Sequence, residues 1–216
     1  MKGFFITFEG PEKSGKSTQA RLLESYLKGR GFKTVFIREP GSTAIGEKIR
    51  RVLLDKKNDG MSLAAEMLLY SAARAQLVSE VVSPALKKGA VVLCDRFQDS
   101  TIAYQGYGCG MDTRAIIDVG RLATQGLRPD LTLLLDFWQS RQHLRDERAP
   151  DRIEMRSGAF HARVKKGYFT LARKDPARIK IVRVQPDISR TQQRIREIVD
   201  QCLLKRSSDR KKRSSC

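Results

Sequence analysis

Apolar residues fall into five short runs, at positions 4–8, 32–37, 90–94, 131–135 and 179–184, each four to eight residues long and bounded by polar or turn-forming residues. Between them the apolar positions recur at helical spacing. Leu22, Leu23, Tyr26 and Leu27 mark a helix over 17–28, and Ile45, Ile49, Val52 and Leu53 a second one ending near Leu54, capped by Ser42 or Thr43. A long stripe through Leu63, Met67, Leu68, Ala72, Leu77 and Val81 predicts a helix over 62–86. Further helices are expected from Asp112, as cap, to about 125, over 157–173, and over 188–204 on Ile195, Ile198, Val199 and Leu203. Asn58-Asp59-Gly60 and Gly106-Tyr107-Gly108-Cys109-Gly110 read as turn and loop. Continuously apolar strands alternating with helices predict an α/β domain: a five-stranded parallel sheet covered by helices on both faces.

The link between the first strand and the first helix carries the most specific chemistry. Gly10-Pro11-Glu12-Lys13-Ser14-Gly15-Lys16-Ser17, with Thr18 following, is a complete G-x-x-x-x-G-K-S phosphate loop in a strand–loop–helix setting. Its glycines let successive backbone N–H groups face inward as an anion nest, and the helix start adds unpaired donors and the positive end of its dipole. Lys16 is expected at the β- and γ-phosphates, and the Ser17 hydroxyl at Mg2+.

In open parallel sheets the C-terminal strand ends form the ligand crevice. Arg38 and Glu39 end the second run and Pro40-Gly41 turns the chain, so both belong beside the phosphate loop or, alternatively, in a surface turn. Asp95-Arg96 ends the third: the aspartate suits a metal, the arginine a phosphate. Glu66, Tyr70 and Arg74 lie four residues apart on one helix stripe. Either the ring and guanidinium address a nucleobase, or the stripe is a surface Glu–Arg pair around a half-buried tyrosine. Ser100/Tyr104 and Thr101/Gln105 are two further i, i+4 pairs. Arg141, Arg145, Arg148 and Arg152 are spaced four, three and four, but Pro150 interrupts any straight helix through them. The stretch reads as a closing lid over about 141–157, or as a solvated charged loop.

Composition refines this reading. The 216 residues, 40% hydrophobic and 31% charged, suit one globular domain, and no apolar run reaches a membrane span. The chain enters its first strand almost at once, without a signal-peptide pattern. Four cysteines without metal-ligand spacing point to a reducing, cytoplasmic setting. The net charge of +18 is uneven: residues 1–140 carry 20 basic and 15 acidic groups, residues 141–216 carry 22 and 9. An anionic substrate, nucleic-acid affinity and a merely solvated basic surface all fit that excess. Residues 205–216 have no apolar face and are expected to form a disordered basic tail after a domain spanning 1–204.

Leu93-Cys94-Asp95-Arg96-Phe97-Gln98-Asp99-Ser100-Thr101-Ile102-Ala103-Tyr104-Gln105 resembles the signature of the thymidylate kinase family, in its bacterial form. Phe8-Glu9-Gly10, Arg38-Glu39-Pro40-Gly41, the Tyr70/Arg74 helix and Asp151-Arg152-Ile153-Glu154 extend the resemblance over nearly the whole chain. It implies a phosphate-loop nucleotide kinase fold with an arginine-rich lid, phosphorylation of dTMP to dTDP by ATP and Mg2+, and a homodimer. It further implies Lys16, Ser17 and Asp95 at the ATP phosphates and metal, and Glu12 near the sugar 3′-hydroxyl. Arg38 and Arg96 then fall at the dTMP phosphate, Tyr70 stacks on thymine, Arg74 and Thr101 bond its edge, and Tyr104 crowds the 2′ position. Ser100 and Gln105 complete the substrate set.

Two positions depart from the family's pattern. Lys13 occupies a loop position where some members carry a catalytic arginine; it assists at the γ-phosphate or is only solvated. The lid is slightly shorter than the usual bacterial one, with Arg148 and then Arg145 as its candidate catalytic residues. The alternatives are a related kinase for another nucleotide or nucleoside, and a nucleic-acid-binding protein with an ATP site, for which the +13 of residues 141–216 and the basic tail speak.

Overall fold

The computed structural model describes residues 3–137 and 151–214, with side chains through residue 206. Five parallel strands, β1 (Phe4–Glu9), β2 (Thr34–Arg38), β3 (Val91–Asp95), β4 (Leu131–Asp136) and β5 (Ile179–Arg183), stand in the order β2-β3-β1-β4-β5. Every β1 and β3 residue is buried, as expected for a parallel sheet covered on both faces. One face packs on α1 (Lys16–Gly29) and α8 (Ile188–Ser214) through Phe8, Leu23, Leu27, Leu133, Ile195 and Val199. The other face packs Phe5, Val92 and Cys94 against the helix carrying Leu77, Val78 and Val82.

Register decides what meets at the strand ends. Arg38 is paired with Asp95, and Phe8 with Asp95, so β2, β3 and β1 finish level. The Glu39 N–H then donates to the Asp95 carbonyl, and the Arg96 N–H to that of Phe8. Three segments far apart in sequence therefore leave the sheet side by side.

The helices follow the expected spans with instructive exceptions. Thr43, not Ser42, caps α2 (Ala44–Leu54), its hydroxyl accepting from the Gly46 N–H. Ser62 caps α3 (Leu63–Leu77), which runs through a π-turn at Val78–Val82 into α4 (Ser83–Lys87). Pro84 accounts for the wider turn: it has no N–H, and its ring would clash with the Glu80 carbonyl in a regular α-helix.

A second π-helical stretch, Ile102–Gly108, follows α5 (Gln98–Thr101), where a loop was expected at 106–110. The turn is confined to Cys109 and Gly110, the latter at φ 80°, while Gly106 and Gly108 serve packing. A Cβ on Gly108 would come within 2.6 Å of the Phe160 ring, so its absence lets the stretch lie against α7 (Gly158–Lys174). Asp112 caps α6 (Thr113–Thr124) as expected. The backbone of α8 remains helical through Ser214, past the expected end at 204. No glycine or proline interrupts 188–214, and lysine and arginine are good helix formers.

Candidate active site

The phosphate loop links β1 directly to α1. Gly10 sits at φ 135°, where a Cβ would meet the Leu135 carbonyl oxygen at 2.5 Å; only glycine lets the chain turn this close to β4. Lys16 is buried, and its ammonium donates to the Pro11 carbonyl at 2.6 Å. Burial lowers the Lys16 pKa to about 8, with Arg96 adding repulsion, against the attraction of Asp95, Glu12 and Glu9. An incoming polyphosphate supplies the counter-charge this lysine lacks. The Ser17 hydroxyl donates to the Asp95 carboxylate, so the two expected metal-holding side chains meet in the folded chain. A hydroxyl and a carboxylate are hard oxygen donors and fit Mg2+. Among the described residues there is no group of three or more His, Cys, Asp or Glu that could hold a metal ion.

A cavity of about 430 Å³ opens beside the loop. It is lined by Glu12, Lys13, Lys16, Ser17, Arg38, Tyr70, Arg74, Asp95, Arg96, Ser100, Thr101, Tyr104 and Gln105, so these expected residues converge from β1–α1, β2, α3, β3, α5 and the π-helical stretch. Arg145 and Arg148, with Arg141, lie outside the described residues. Arg152, the fourth arginine of that spacing, is buried and donates to the Leu53 carbonyl at 3.0 Å and to Glu66 at 2.5 Å.

Arg96 stands at the centre of the acceptor side. It adopts φ 71°, a left-handed conformation disfavoured for a bulky residue, and Lys13 is similar at 60°. Its guanidinium donates to the Gly10 carbonyl at 3.0 Å, to Ser100 and Tyr168 at 3.3 Å each, and to Glu12 at 3.4 Å. Tyr104 also donates to Glu12. Burial pushes the Glu12 pKa up, but Arg96 and the Tyr104 hydroxyl outweigh it and hold the carboxyl below its ordinary value.

Arg74, 1% exposed, donates to Glu39 at 2.8 Å, Gln98 at 2.6 Å and Thr101 at 2.9 Å. Three of its five N–H donors are thus committed within the protein. The stripe is not a surface Glu–Arg pair: Glu66 and Arg74 are both buried, and each has its own partners. Arg38 remains exposed, with Glu47 at 3.0 Å, while its neighbour Glu39 is buried. Burial raises the Glu39 pKa to about 7 against the pull of Arg74. Ser100 is less available to a ligand than the sequence suggests, because its hydroxyl bonds Glu9 at 2.5 Å and Tyr168 at 2.8 Å. Gln105 likewise gives its amide to Glu66 at 2.8 Å.

Several supporting residues escaped sequence reasoning. Glu9 accepts the Phe97 N–H at 2.8 Å on one oxygen, and Ser100 and Tyr168 bond the other. It thereby braces the turn that carries Arg96. Burial raises its pKa to about 7, assisted by nearby Asp99. Tyr168 reaches this cluster from α7, 159 residues away in sequence. Glu9 was visible as part of Phe8-Glu9-Gly10 and Gln98 within the 93–105 signature, both without a role; nothing local marked Tyr168.

A phosphate loop on a parallel sheet, an aspartate at the adjacent strand end, and a cation-lined cavity facing both define a phosphate-loop phosphotransferase. The thymidylate kinase family model matches residues 8–195. Among curated relatives, a thymidylate kinase of Exiguobacterium sp. is 50% identical over 191 residues, covering 88% of this chain and 89% of the relative. One from Symbiobacterium thermophilum is 45% identical over 203 residues, covering 94% and 95%. The crystal structure of thymidylate kinase from Ehrlichia chaffeensis superposes with a TM-score of 0.77 at 32% identity, covering 93% of this chain and 99% of that one. The chain belongs to the thymidylate kinase family.

Proposed function

We propose that this protein transfers the γ-phosphoryl group of ATP to the phosphate of dTMP, giving ADP and dTDP. The observation that carries this reading is Arg96. It lies half-buried between the phosphate loop and the wall formed by Tyr70, Arg74, Thr101 and Tyr104, in one cavity. A cation there suits an acceptor that already carries phosphate. Such an acceptor is anionic near neutrality and needs no strong general base.

In this reading Gly10–Thr18 cradles the donor phosphates, and Lys16 offsets charge on the group in transfer. Ser17 and Asp95 would hold Mg2+, which would supply positive charge against that of the phosphates. Arg96 and Arg38 bind the acceptor phosphate, for which Arg38 exchanges its Glu47 partner. Tyr70 stacks on the base, and Arg74 and Thr101 bond its edge. Tyr104, fixed by Glu12, stands against the sugar. Lys13 lines the same cavity, within reach of the donor side. Arg145 and Arg148 are assigned to the lid from sequence. Alignment of the two phosphates and neutralisation of spread charge supply the catalysis.

The reading includes a homodimer through α3 and α6, supported by the exposed apolar side chains Leu68, Ile117 and Leu122 on those packed helices. A cytoplasmic location goes with it; no helix among the described residues is long and apolar enough to cross a membrane. The test is ADP release with ATP and Mg2+ on a panel of dTMP, dUMP, UMP, CMP, dGMP and AMP. Strong turnover on dTMP that vanishes in Lys16→Ala supports the reading. Preference for another nucleotide discards the base-site roles and keeps the mechanism.

A further inference from the structure

Beneath the acceptor wall lies a charged cluster that the transfer step does not use. Glu66 is fully buried on α3, one helical turn before Tyr70. One carboxylate oxygen accepts from Gln105 at 2.8 Å; the other accepts from Arg152 at 2.5 Å and from Arg156 at 2.7 Å. Each arginine has a second anchor: Arg152 on the Leu53 carbonyl at the end of α2, and Arg156 on the Cys109 sulfur at 2.9 Å. One carboxylate thus joins α2, α3, the π-helical stretch and the 151–156 segment.

That segment is a tight turn in its own right. The Asp151 carboxylate accepts the N–H groups of Ile153 and Glu154 at 2.9 Å each, and Glu154 accepts the Asp151 N–H at 3.2 Å. Asp151, Ile153 and Glu154 line the acceptor cavity, whereas Arg152 points the other way, into the cluster. The alternation makes Arg152 the peg by which the turn is held.

We propose that Glu66 is a positioning residue for the acceptor nucleotide. Its ion pairs with Arg152 and Arg156 dock the 151–154 turn as a fixed wall, and its bond to Gln105 sets the opposite wall. The inference rests on the acceptor reading above. It also separates 151–156 from any moving lid. A carboxylate in water would gain little from these partners, but Glu66 and Arg152 are both buried and have no solvent alternative to each other's side of the cluster, while Arg156 joins from the partly exposed rim.

The experiment first establishes turnover of dTMP by the unmodified protein; absence of that turnover defeats the acceptor reading itself. Glu66→Gln and the milder Arg152→Lys are then compared with it for Tm, kcat, KM for dTMP and KM for ATP. Arg152→Lys keeps a cation beside Glu66 and cannot make both guanidinium contacts. The expected result is a rise in KM for dTMP of about tenfold in Glu66→Gln and several-fold in Arg152→Lys. KM for ATP should move less than about twofold, since the donor contacts are untouched. A purely structural role would lower Tm and leave KM for dTMP unchanged in the folded variants. That outcome, or an equal rise in both KM values, overturns the proposal. If Glu66→Gln does not fold, Arg152→Lys decides.

Discussion

The two ends of the cavity are built in different ways. In the proposed reading the donor end comes mainly from one continuous segment, residues 10–17, joined at its end to Asp95 through Ser17. The acceptor end is assembled from β2, α3, β3, α5, the 151–156 turn and α7, and nearly every polar group in it is tied to another. Arg74 alone joins β2, α3 and α5 through Glu39, Gln98 and Thr101. Backbone cradles recognise a feature shared by all nucleoside triphosphates, their phosphate chain. Selecting one acceptor requires several side chains at fixed positions, and burial with mutual hydrogen bonding is how such positions are held.

The largest effect that sharpens this contrast should come from the donor end. Lys16→Ala is expected to lower kcat about 100- to 1,000-fold, as for loss of one preorganised charge-stabilising donor in other enzymes. Steady-state ADP release checks it. A loss confined to KM for ATP would show that the lysine binds donor and transition state alike.

Next comes Arg96→Ala, expected to weaken dTMP binding by about 10- to 100-fold, with a smaller change for ATP. Equilibrium titration of each nucleotide separates the two. Equal losses would mean that Arg96 serves both ends, through its bond to the Gly10 carbonyl, and would blur the division.

A smaller effect tests the free donor end. With Lys16 at about pKa 8, nucleotide binding should draw a proton onto its neutral amine fraction near pH 8, and should not do so at pH 6.5, where the lysine is already charged. Calorimetry of ATP·Mg2+ binding in buffers of different ionisation enthalpy reads this directly. No uptake at pH 8 would show that Lys16 is already fully charged before ligand arrives.

The smallest effect concerns stability at the acceptor end. Glu9 has its folded pKa raised from 4.5 to about 7, so between those values the folded chain keeps a proton that the unfolded chain releases. Its contribution to stability is therefore fully present below about pH 4.5 and is lost as pH rises through about 7. Glu9→Gln removes that term, so the stability of the unmodified protein should fall relative to the variant's as pH rises across this window. Urea unfolding at a series of pH values checks the difference, and parallel curves would contradict it.

How much was legible in the chain divides along the same line. The phosphate loop could be read with its geometry because every residue it needs is consecutive and its glycines answer a backbone demand. The five strands and the order of helices were legible because burial on both faces imposes continuous apolar runs. Asp95 and Arg38 were legible as strand-end residues. The expected loop at 106–110 holds at Cys109-Gly110 and failed at 106–108, because glycine was read as a turn signal whereas Gly108 is needed for contact with Phe160. The Glu66–Tyr70–Arg74 stripe was correctly placed on one helix, but spacing alone left open whether it was solvated or buried.

By itself, then, the sequence determined the sheet-and-helix alternation, the phosphate loop and the chemical types gathered at the strand ends, since these depend on local periodicity and on neighbours along the chain. Only the tertiary structure decided which charges are buried and with whom. Arg152 pairs with Glu66 across 86 positions and Tyr168 with Glu9 across 159. Such pairs form because folding removes water from both partners at once and leaves them to bond within the protein, and no residue-by-residue pattern records where two distant segments will be dried together.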